Sequence, residues 1–416
     1  MLLRYARKAV KTFAALEIPE YRRFWISQWF SLIGSWLQSS AQSWLVLGLF
    51  ADRSAATVQL GVLNAIQWLP SLVLSLFAGA VLDRFSRKHV LIVTQVILML
   101  MAVTMGLVVY LKIASFQIVA IIAFISGLAN VFDIIARQSL IPQLVPKHLM
   151  SNAVALGSLS FNTARVLGGT IFGLLAPIFG LHTIFWLNAL SFVGVIIAIS
   201  SLKTRAGEDS GQHRMLEDIR IGLGYVWSNR AVRDPIVLLG LLSLTVINFP
   251  VITPTYAKFA LNLKETGFGL LGSAFGIGAA LGAVFTASRP PEARVRLMGL
   301  GAVLLCIGVG SLYFTPNLEL AALGIGIAGM GMISFTVSAN STVQLSTPDF
   351  LRARVMSVYT LVFAGFAPPG ALFVGALFAR FGTRTGVLIL AILGLICVAL
   401  IRPKVQPHLE RVTKVS

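Results

Sequence analysis

A cluster of charged residues separates two long apolar segments. From Gly79 to Leu91 the sequence reads GAVLDRFSRKHVL. Four charged residues fall within six positions of this stretch: Asp83, Arg84, Arg87 and Lys88. Charges at this density are stable in water near a bilayer and costly inside it. The pattern therefore predicts a tight charged loop at a membrane surface, which we call the hinge loop (residues 79–91).

Asp133 is an acid that the sequence places inside an apolar segment, about six residues from its end. Asn130 and Arg137 share its helical face at i−3 and i+4. Because charges inside a bilayer cost at least roughly 2.5 kcal/mol on insertion scales, an intramembrane acid is a functional candidate. One interpretation is that Asp133 forms a local ion pair with Arg137 and has no part in any conformational change of the protein.

Arg165 lies deep in another apolar segment, roughly 20 Å from the segment start at Met150, whereas Asp133 lies only about 9 Å in. The two side chains are therefore not level and are not expected to pair. Asn162 shares the face of Arg165 one turn away. Two interpretations remain open: Arg165 binds an anionic or polar ligand, or carbonyl groups and amide side chains satisfy it.

Uncharged amides inside apolar segments form the remaining candidate set. Such amides often hydrogen-bond between helices and have no contact with a ligand. The candidates for substrate binding, in addition to Asn162 and Arg165, are Gln38, Gln42, Asn64, Gln67, Asn248, Asn340 and Gln344.

Motifs for catalysis and cofactor binding are missing. The sequence contains no phosphate-binding Gly-Lys-Ser/Thr loop, no His-Glu-x-x-His and no Gly-x-Ser-x-Gly. A Gly-x-Gly-x-x-Gly occurs at Gly324, Gly326 and Gly329, but inside an apolar segment, where close helix packing explains it. Cys306 and Cys397 lie in apolar segments and are expected to be core residues. We therefore predict no enzyme activity, no cofactor and no metal site.

The elements that position these residues are predicted to be membrane helices. Of the 416 residues, 57% are hydrophobic and 12% charged, with a mean hydropathy of +0.86. A soluble protein of this size could not cover its surface with so few charges, so lipid surrounds most of the chain. A spanning helix needs roughly 20 apolar residues. Twelve segments meet this need: 22–50, 57–83, 88–111, 115–139, 150–178, 181–202, 234–258, 266–288, 295–315, 318–344, 353–379 and 384–402.

The net charge of +18 is distributed unevenly between the two sides of the predicted membrane. With the N-terminus inside, few basic residues fall in outer connections: Arg53, Lys112, Lys258, Lys264, Arg380 and Arg384. Nearly all the others fall in inner connections, as the positive-inside rule requires. Membrane topology therefore explains the excess of basic residues, and no binding to nucleic acid is needed to explain it. The charge distribution predicts a multi-pass protein of the plasma (inner) membrane with both termini in the cytoplasm.

An internal repeat divides the chain into halves. A shift of 202 residues superimposes Pro146, Gly180 and Thr183, among others, on Pro348, Gly382 and Thr385. We expect two pseudo-symmetric six-helix bundles, residues 1–203 and 233–416, joined by a cytoplasmic linker at 204–232. Apolar residues recur at helical spacing in the linker, as in an amphipathic helix on the membrane surface or a soluble helix packed on the bundle.

The hinge loop resembles the loop between helices 2 and 3 that marks the major facilitator superfamily of transporters. Ser86 departs from it, because the superfamily usually has glycine there. Three further patches resemble the branch that contains enterobactin-type siderophore exporters and macrolide efflux proteins. They are Trp36-Leu37-Gln38 with Trp44-Leu45-Val46-Leu47, Phe132-Asp133 with Ala136-Arg137-Gln138-Ser139, and Phe161-Asn162 with Ala164-Arg165.

The resemblance implies roles for several residues. Asp133 would pair with Arg87 and latch the cytoplasmic side shut, and Asp83 would face the N-terminus of helix 11. Helix 1 would line the central cavity, which makes Gln38 and Gln42 the preferred ligand contacts. The hinge loop and helix 4 supply the gating set: Gly79, Asp83, Arg84, Arg87, Lys88, Asp133 and Arg137.

The resemblance also implies a function. We expect a secondary transporter that exports a small amphiphilic molecule, such as a drug or a siderophore, by alternating access. Protons are a candidate coupling ion, and Asp133 is the acid available for them. Many antiporters of the superfamily carry Gly-Pro in helix 5, whereas Gly168 is followed here by Gly169. A lipid or lysophospholipid flippase of the same fold and a non-transporting membrane receptor are the alternatives.

Overall fold

The computed structural model describes residues 13–82, 85–202, 215–290 and 293–401. Every regular element assigned within these ranges is helical, mostly α with short 3₁₀ and π turns. Asp83 and Arg84, two members of the hinge loop, lie outside the described residues.

The first half contains six long helices. Four of them are α1 (Pro19–Gly48), α2 (Arg53–Leu82), α3 (Arg87–Tyr110) and α4 (Phe116–Leu144). The helical segment Met150–Ser200 is interrupted at Gly180, where φ is 77° and ψ is 165°. Since this backbone region is open to glycine and strained for other residues, Gly180 ends α5 (150–179) and begins α6 (181–200). The predicted helix boundaries agree with these to within a few residues, except that α4 extends five residues beyond the predicted end.

The second half begins with a linker helix, Met215–Ser228, and continues with six further helices. Two of them are broken: α7 comprises Arg230–Leu244, Phe249–Thr255 and a π turn at Tyr256–Ala260, and α11 comprises Asp349–Gly365 and Ala367–Phe381. The others are α8 (Glu265–Ala287), α9 (Arg294–Ser311), α10 (Leu318–Leu345) and α12 (Thr383–Leu400). Prolines follow both breaks and remove main-chain donors there.

Twelve helices have the order and positions that the sequence predicts. Nine stretches of the described chain are long and apolar enough to cross a membrane, and one of them, Lys147–Ser200, contains both α5 and α6. Val295–Ser311 in α9 is apolar but shorter, and α1 is not among the nine stretches. With these two, the count is the predicted twelve.

The internal repeat is visible in the backbone. Pro146 and Pro348, which precede α5 and α11, have φ/ψ of −59°/152° and −56°/148°. Gly180 and Gly382, which end those helices, have 77°/165° and 77°/160°. Matching conformations at positions 202 residues apart indicate that the two halves repeat one structure.

The helices form two compact units. The first contains α1 as far as Leu45, α2 from Leu69 onward, and α3 to α6. The second contains Val46–Trp68, which includes the first part of α2, together with the linker helix and α7 to α12. The boundary within α2 falls between Trp68 and Leu69. It is next to Pro70, a proline inside the helix. The division into sequence halves at residues 203 and 233 stays a prediction.

The linker helix packs on α11 with one face only. A Cβ built on Gly222 would lie 2.7 Å from the carbonyl oxygen of Arg354, and Val226 is 3% exposed. Leu223 and Trp227, which belong to the same predicted apolar stripe, are exposed. One edge of the apolar stripe, at Val226, is therefore buried, and the other edge, at Leu223 and Trp227, is exposed.

Candidate functional site

The carboxylate of Asp133 is buried between α3 and α4. Its exposed fraction is 4%. The amide Nε2 of Gln95 donates a 2.7 Å hydrogen bond to Oδ1, and the hydroxyl of Thr94 donates one of 3.2 Å to the same oxygen. Arg137 forms an ion pair with Oδ2. Two donors and a guanidinium therefore surround a buried anion and offset the cost of removing it from water.

The ion pair seen here is the local one. Among the described residues, Asp133 pairs with Arg137 on its own helix, while Arg87 is the first residue of α3. The latch between Asp133 and Arg87 stays a prediction for another conformation. Thr94 and Gln95 could not be recognised as partners from the sequence, since one polar pair on an apolar helix does not reveal which neighbouring helix it faces.

Lys88, near the end of the hinge loop, forms hydrogen bonds to the C-terminal end of α6. Its ammonium donates 2.7 Å hydrogen bonds to the carbonyl oxygens of Ser200 and Leu202. The last carbonyls of a helix have no partner within it and carry the negative end of its dipole, so a lysine is well placed there. Gly79 lies in the last turn of α2.

Ser86 has a structural role that glycine could not fill. It is the N-cap of α3, and its hydroxyl accepts a hydrogen bond from the main-chain N–H of His89. Its hydroxyl also lies 2.6 Å from the His89 ring Nδ1. The departure from the superfamily pattern therefore adds a helix cap, which serine provides better than most residues.

Arg165 lies among aromatic rings of α1 and α5. It is 9% exposed, and its Nη2 donates a 3.0 Å hydrogen bond to Oδ1 of Asn162. Its Cζ lies 5.9 Å from the ring centroids of both Trp36 and Phe161. A guanidinium over aromatic rings is stabilised by the negative electrostatic potential of the ring faces. Both interpretations of Arg165 remain open, although the second now includes aromatic rings as well as an amide.

The two glutamines of α1 have different surroundings. Oε1 of Gln38 accepts a 2.7 Å hydrogen bond from Nδ2 of Asn188 on α6, which is 1% exposed. Gln42 is 4% exposed, and its Nε2 has no hydrogen-bond partner within the described part of the chain. Gln38 therefore joins two helices, whereas Gln42 keeps a buried donor available. Asn188 was not identified from the sequence, because a lone amide does not indicate its partner.

The other predicted amides bond mostly within their own helices. Nδ2 of Asn64 donates to the carbonyl of Leu60 at 2.9 Å, and Nδ2 of Asn248 donates to that of Ser243 at 2.6 Å. Nε2 of Gln344 donates to Oδ1 of Asn340 at 2.7 Å. Gln67 is partly exposed. These bonds use one donor or acceptor of each amide and leave others for a ligand.

The first part of α2 packs closely on α11 inside the second unit. A Cβ built on Gly61 would lie 2.6 Å from the carbonyl oxygen of Ala371, and one built on Gly375 would lie 3.0 Å from that of Thr57. Nearer the helix ends, the hydroxyl of Ser54 donates a 3.2 Å hydrogen bond to the carbonyl of Ala379. We call this contact the α2–α11 seam (Ser54, Thr57 and Gly61 with Ala371, Gly375 and Ala379).

A twelve-helix membrane protein with repeated halves, a charged loop after α2 and a buried ion pair in α4 has the architecture of a major facilitator transporter. The family described as transmembrane secretion effector matches residues 10–414. The chain belongs to this family. It is thus a multi-pass membrane protein of a family of transporters.

Relatives and solved structures agree with this assignment. The chain is 27% identical to the multidrug efflux pump Tap of Mycobacterium tuberculosis over 375 residues, which cover 86% of each protein. It is 23% identical to the staphyloferrin A transporter of Staphylococcus aureus, covering 84% of this chain and 87% of that protein. The structure of the nucleoside transporter NupG matches with a TM-score of 0.74 at 15% identity, over 92% of this chain and 98% of that one.

Proposed function

We propose that the protein is a secondary active transporter that exports a small amphiphilic molecule, drug-like or siderophore-like, by alternating access. The family and the relatives named as a multidrug efflux pump and a staphyloferrin A transporter support this proposal. The protein would lie in the inner membrane with both termini in the cytoplasm, as the distribution of basic residues predicts.

The observation that carries the proposal is the division of α2 between the two compact units. Residues Val46–Trp68 belong to the second unit, and α2 from Leu69 onward belongs to the first. The boundary lies beside Pro70, where the missing N–H weakens the helix. Within the second unit, the first part of α2 packs closely on α11, and a helix contact of this kind is suited to opening and closing, as alternating access requires.

The α2–α11 seam would then be the outer gate, closed in this conformation. Its close main-chain contacts at Gly61 and Gly375 are specific to a closed state, since any separation of the helices breaks them. The inner gate would use the hinge loop. In that gate Asp133 would exchange Arg137 for Arg87, and Asp83 would face the N-terminus of α11.

Substrate binding would use the buried donor of Gln42 on α1. Buried polar groups in native proteins nearly always have a hydrogen-bond partner. A hydrogen-bond acceptor on the ligand would be a suitable partner for Nε2 of Gln42. The exposed or partly exposed amides Asn162, Gln67, Asn340 and Gln344 would supply additional contacts, and the aromatic rings around Arg165 would favour an amphiphilic ligand. Protons are the candidate coupling ion.

Locking the seam tests the transport mechanism. Ser54→Cys and Ala379→Cys, in a chain carrying Cys306→Ala and Cys397→Ala, place two thiols at the ends of α2 and α11. A thiol cross-linker should stop export from proteoliposomes, and a cleavable linker should restore export after reduction. Continued export by cross-linked protein would contradict the outer-gate assignment.

Substrate class is tested in the same vesicles. A fluorescent lipophilic drug, an iron-chelating siderophore and a fluorescent lysophospholipid are loaded separately, with and without an imposed proton gradient. Movement of the drug or siderophore supports the exporter. Movement of the lysolipid alone would favour a flippase, and binding without movement of any compound would favour a receptor. The chain with only the two cysteine replacements is the control.

A further inference from the structure

A cavity lined by two arginines lies at the end of the second unit that is opposite the linker helix. It has a volume of about 380 Å³ and forms where α2 and α12 begin and where α7 and α11 end. Its polar lining comprises Arg53, Ser54, Thr57, Thr383, Arg384 and Thr385. None of these residues belongs to the predicted gating or substrate-binding sets.

The two guanidiniums are held in place by uncharged groups. The Cζ of Arg53 lies 5.7 Å from the ring centroid of Phe259. Nη2 of Arg384 donates a 3.4 Å hydrogen bond to the carbonyl of Ala260. Within the described residues, neither arginine forms an ion pair with a carboxylate. No carboxylate of the described residues therefore competes with an incoming anion for either guanidinium.

Asp52, the acid next to Arg53 in the sequence, caps the start of α2. The carboxylate of Asp52 accepts hydrogen bonds from the main-chain N–H groups of Ser54 and Ala55, at 3.2 Å and 2.9 Å, and so caps α2. At the adjacent N-terminus of α12, Gly382 provides no side-chain cap. The first N–H groups of α12 thus add to the positive potential of the two arginines.

The first unit has an aromatic cluster at the position of the repeat that corresponds to Arg384. The repeat places Arg384 opposite His182, whose ring lies 5.3 Å from that of Tyr110 and 5.2 Å from that of Trp186. Arg384 therefore has no arginine counterpart at this position of the repeat. The outer basic residues show the same asymmetry, since all of those named above except Lys112 lie in the second unit.

We propose that this cavity binds an oxyanion, namely a phosphate or a carboxylate group. Arg53 and Arg384 would bind it through charge-assisted hydrogen bonds, and the hydroxyls of Thr383 and Thr385 and the α12 N-terminus would complete the site. The group is either the headgroup of an anionic phospholipid or a soluble anion, because both can reach a cavity at the membrane surface. The site is separate from the proposed substrate contacts on α1.

Two double variants with equal charge loss provide the test. Arg53→Gln with Arg384→Gln removes the site, and Lys112→Gln with Lys264→Gln removes two exposed basic residues that do not line the cavity. Purified proteins are unfolded thermally in rising sodium phosphate against sodium chloride of equal ionic strength. We expect phosphate to stabilise wild type and the control, and its apparent affinity for the site variant to fall about tenfold or more.

The source of the anion is identified in a second assay. Native mass spectrometry of protein released from nanodiscs of phosphatidylglycerol or phosphatidylcholine measures retained lipid. Retention of phosphatidylglycerol that is lost only in the site variant assigns a lipid headgroup. Phosphate stabilisation without such retention assigns a soluble oxyanion. If the site variant fails to fold, Arg53→Gln alone replaces it, with about threefold weaker phosphate binding expected. Equal behaviour of the variants and their control in both assays would overturn the proposal.

Discussion

Gly61 on α2 and Ala371 on α11 are in main-chain contact, so that a Cβ on Gly61 would lie 2.6 Å from the Ala371 carbonyl oxygen. Such approach is possible only for glycine, and the carbonyl cannot move away without shifting α11. The close packing of the α2–α11 seam at this point therefore depends on the absence of a methyl group at Gly61.

Gly61→Ala should open the seam. Overpacking of this kind costs about 1–3 kcal/mol, which shifts an equilibrium between closed and open forms by roughly tenfold or more. We expect slower export and faster alkylation of a cysteine at Thr57→Cys, a position that is 2% exposed in the closed seam. Gly157→Ala is the matched control, because a Cβ there meets nothing within 4 Å. Unchanged alkylation in Gly61→Ala would show that the seam does not gate access.

The Asp133–Arg137 pair should be strongly coupled. Asp133→Asn leaves a guanidinium whose side chain is only 17% exposed without its counter-charge, and loss of one partner of a buried pair costs about 3 kcal/mol. Arg137→Met leaves Asp133 with Gln95 and Thr94, so we expect a smaller loss. The double variant should be more stable than the sum of the single effects by about 1 kcal/mol. Thermal unfolding in detergent measures all three; additive losses would contradict a coupled pair.

Arg87→Ala tests whether Asp133 also pairs with Arg87 during transport, in addition to its local pair with Arg137. If Asp133 exchanges partners during transport, Arg87→Ala should reduce export about tenfold and leave the melting temperature unchanged, since Arg87 is not the partner of Asp133 here. Arg23→Ala, an exposed arginine at the start of α1, is the control. Wild-type export by Arg87→Ala would remove the latch from the mechanism.

Much of the fold could be predicted from the sequence, because hydrophobic length and charge placement determine membrane helices directly. The conformation shared by Gly180 and Gly382 follows from a repeat that is readable in the chain. The Asp133–Arg137 pair was one of the predicted interpretations, whereas the partners of Asp133 and Gln38 on other helices could not be predicted. Gln95 and Asn188 lie on other helices, and helix rotation depends on packing between small residues, which composition does not specify. The division of α2 near Pro70 was also missed, since a proline alone does not reveal a boundary between units.

Gln38 and Gln42 should respond in opposite ways to the same substitution. Gln38→Leu breaks the bond to Asn188 and leaves a buried amide unsatisfied, so we expect a loss of stability of about 0.6–1.7 kcal/mol and unchanged substrate affinity. Gln42→Leu removes a donor that has no partner among the described residues, so the melting temperature should stay constant or rise. Substrate affinity should fall about tenfold if this donor meets a ligand acceptor. Each variant is the control for the other, in thermal unfolding and in equilibrium binding of the exported compound. Equal affinities in both would remove Gln42 from the binding site.

Arg165 and Trp36 should share a stabilising energy that a double-mutant cycle can measure. The guanidinium lies 5.9 Å from the Trp36 ring centroid and is 9% exposed, and a desolvated cation–π contact contributes about 2 kcal/mol. We expect Arg165→Met and Trp36→Leu each to lower the melting temperature, with a coupling energy of about 1–2 kcal/mol between them. Arg165→Lys should restore only part of the loss, because an ammonium lacks the planar face that stacks on rings. Trp29 supplies the control: its indole bonds to Thr163 at 2.8 Å, so Trp29→Leu should be additive with Arg165→Met. A coupling near zero, combined with loss of substrate affinity in Arg165→Met, would instead assign the guanidinium to the ligand.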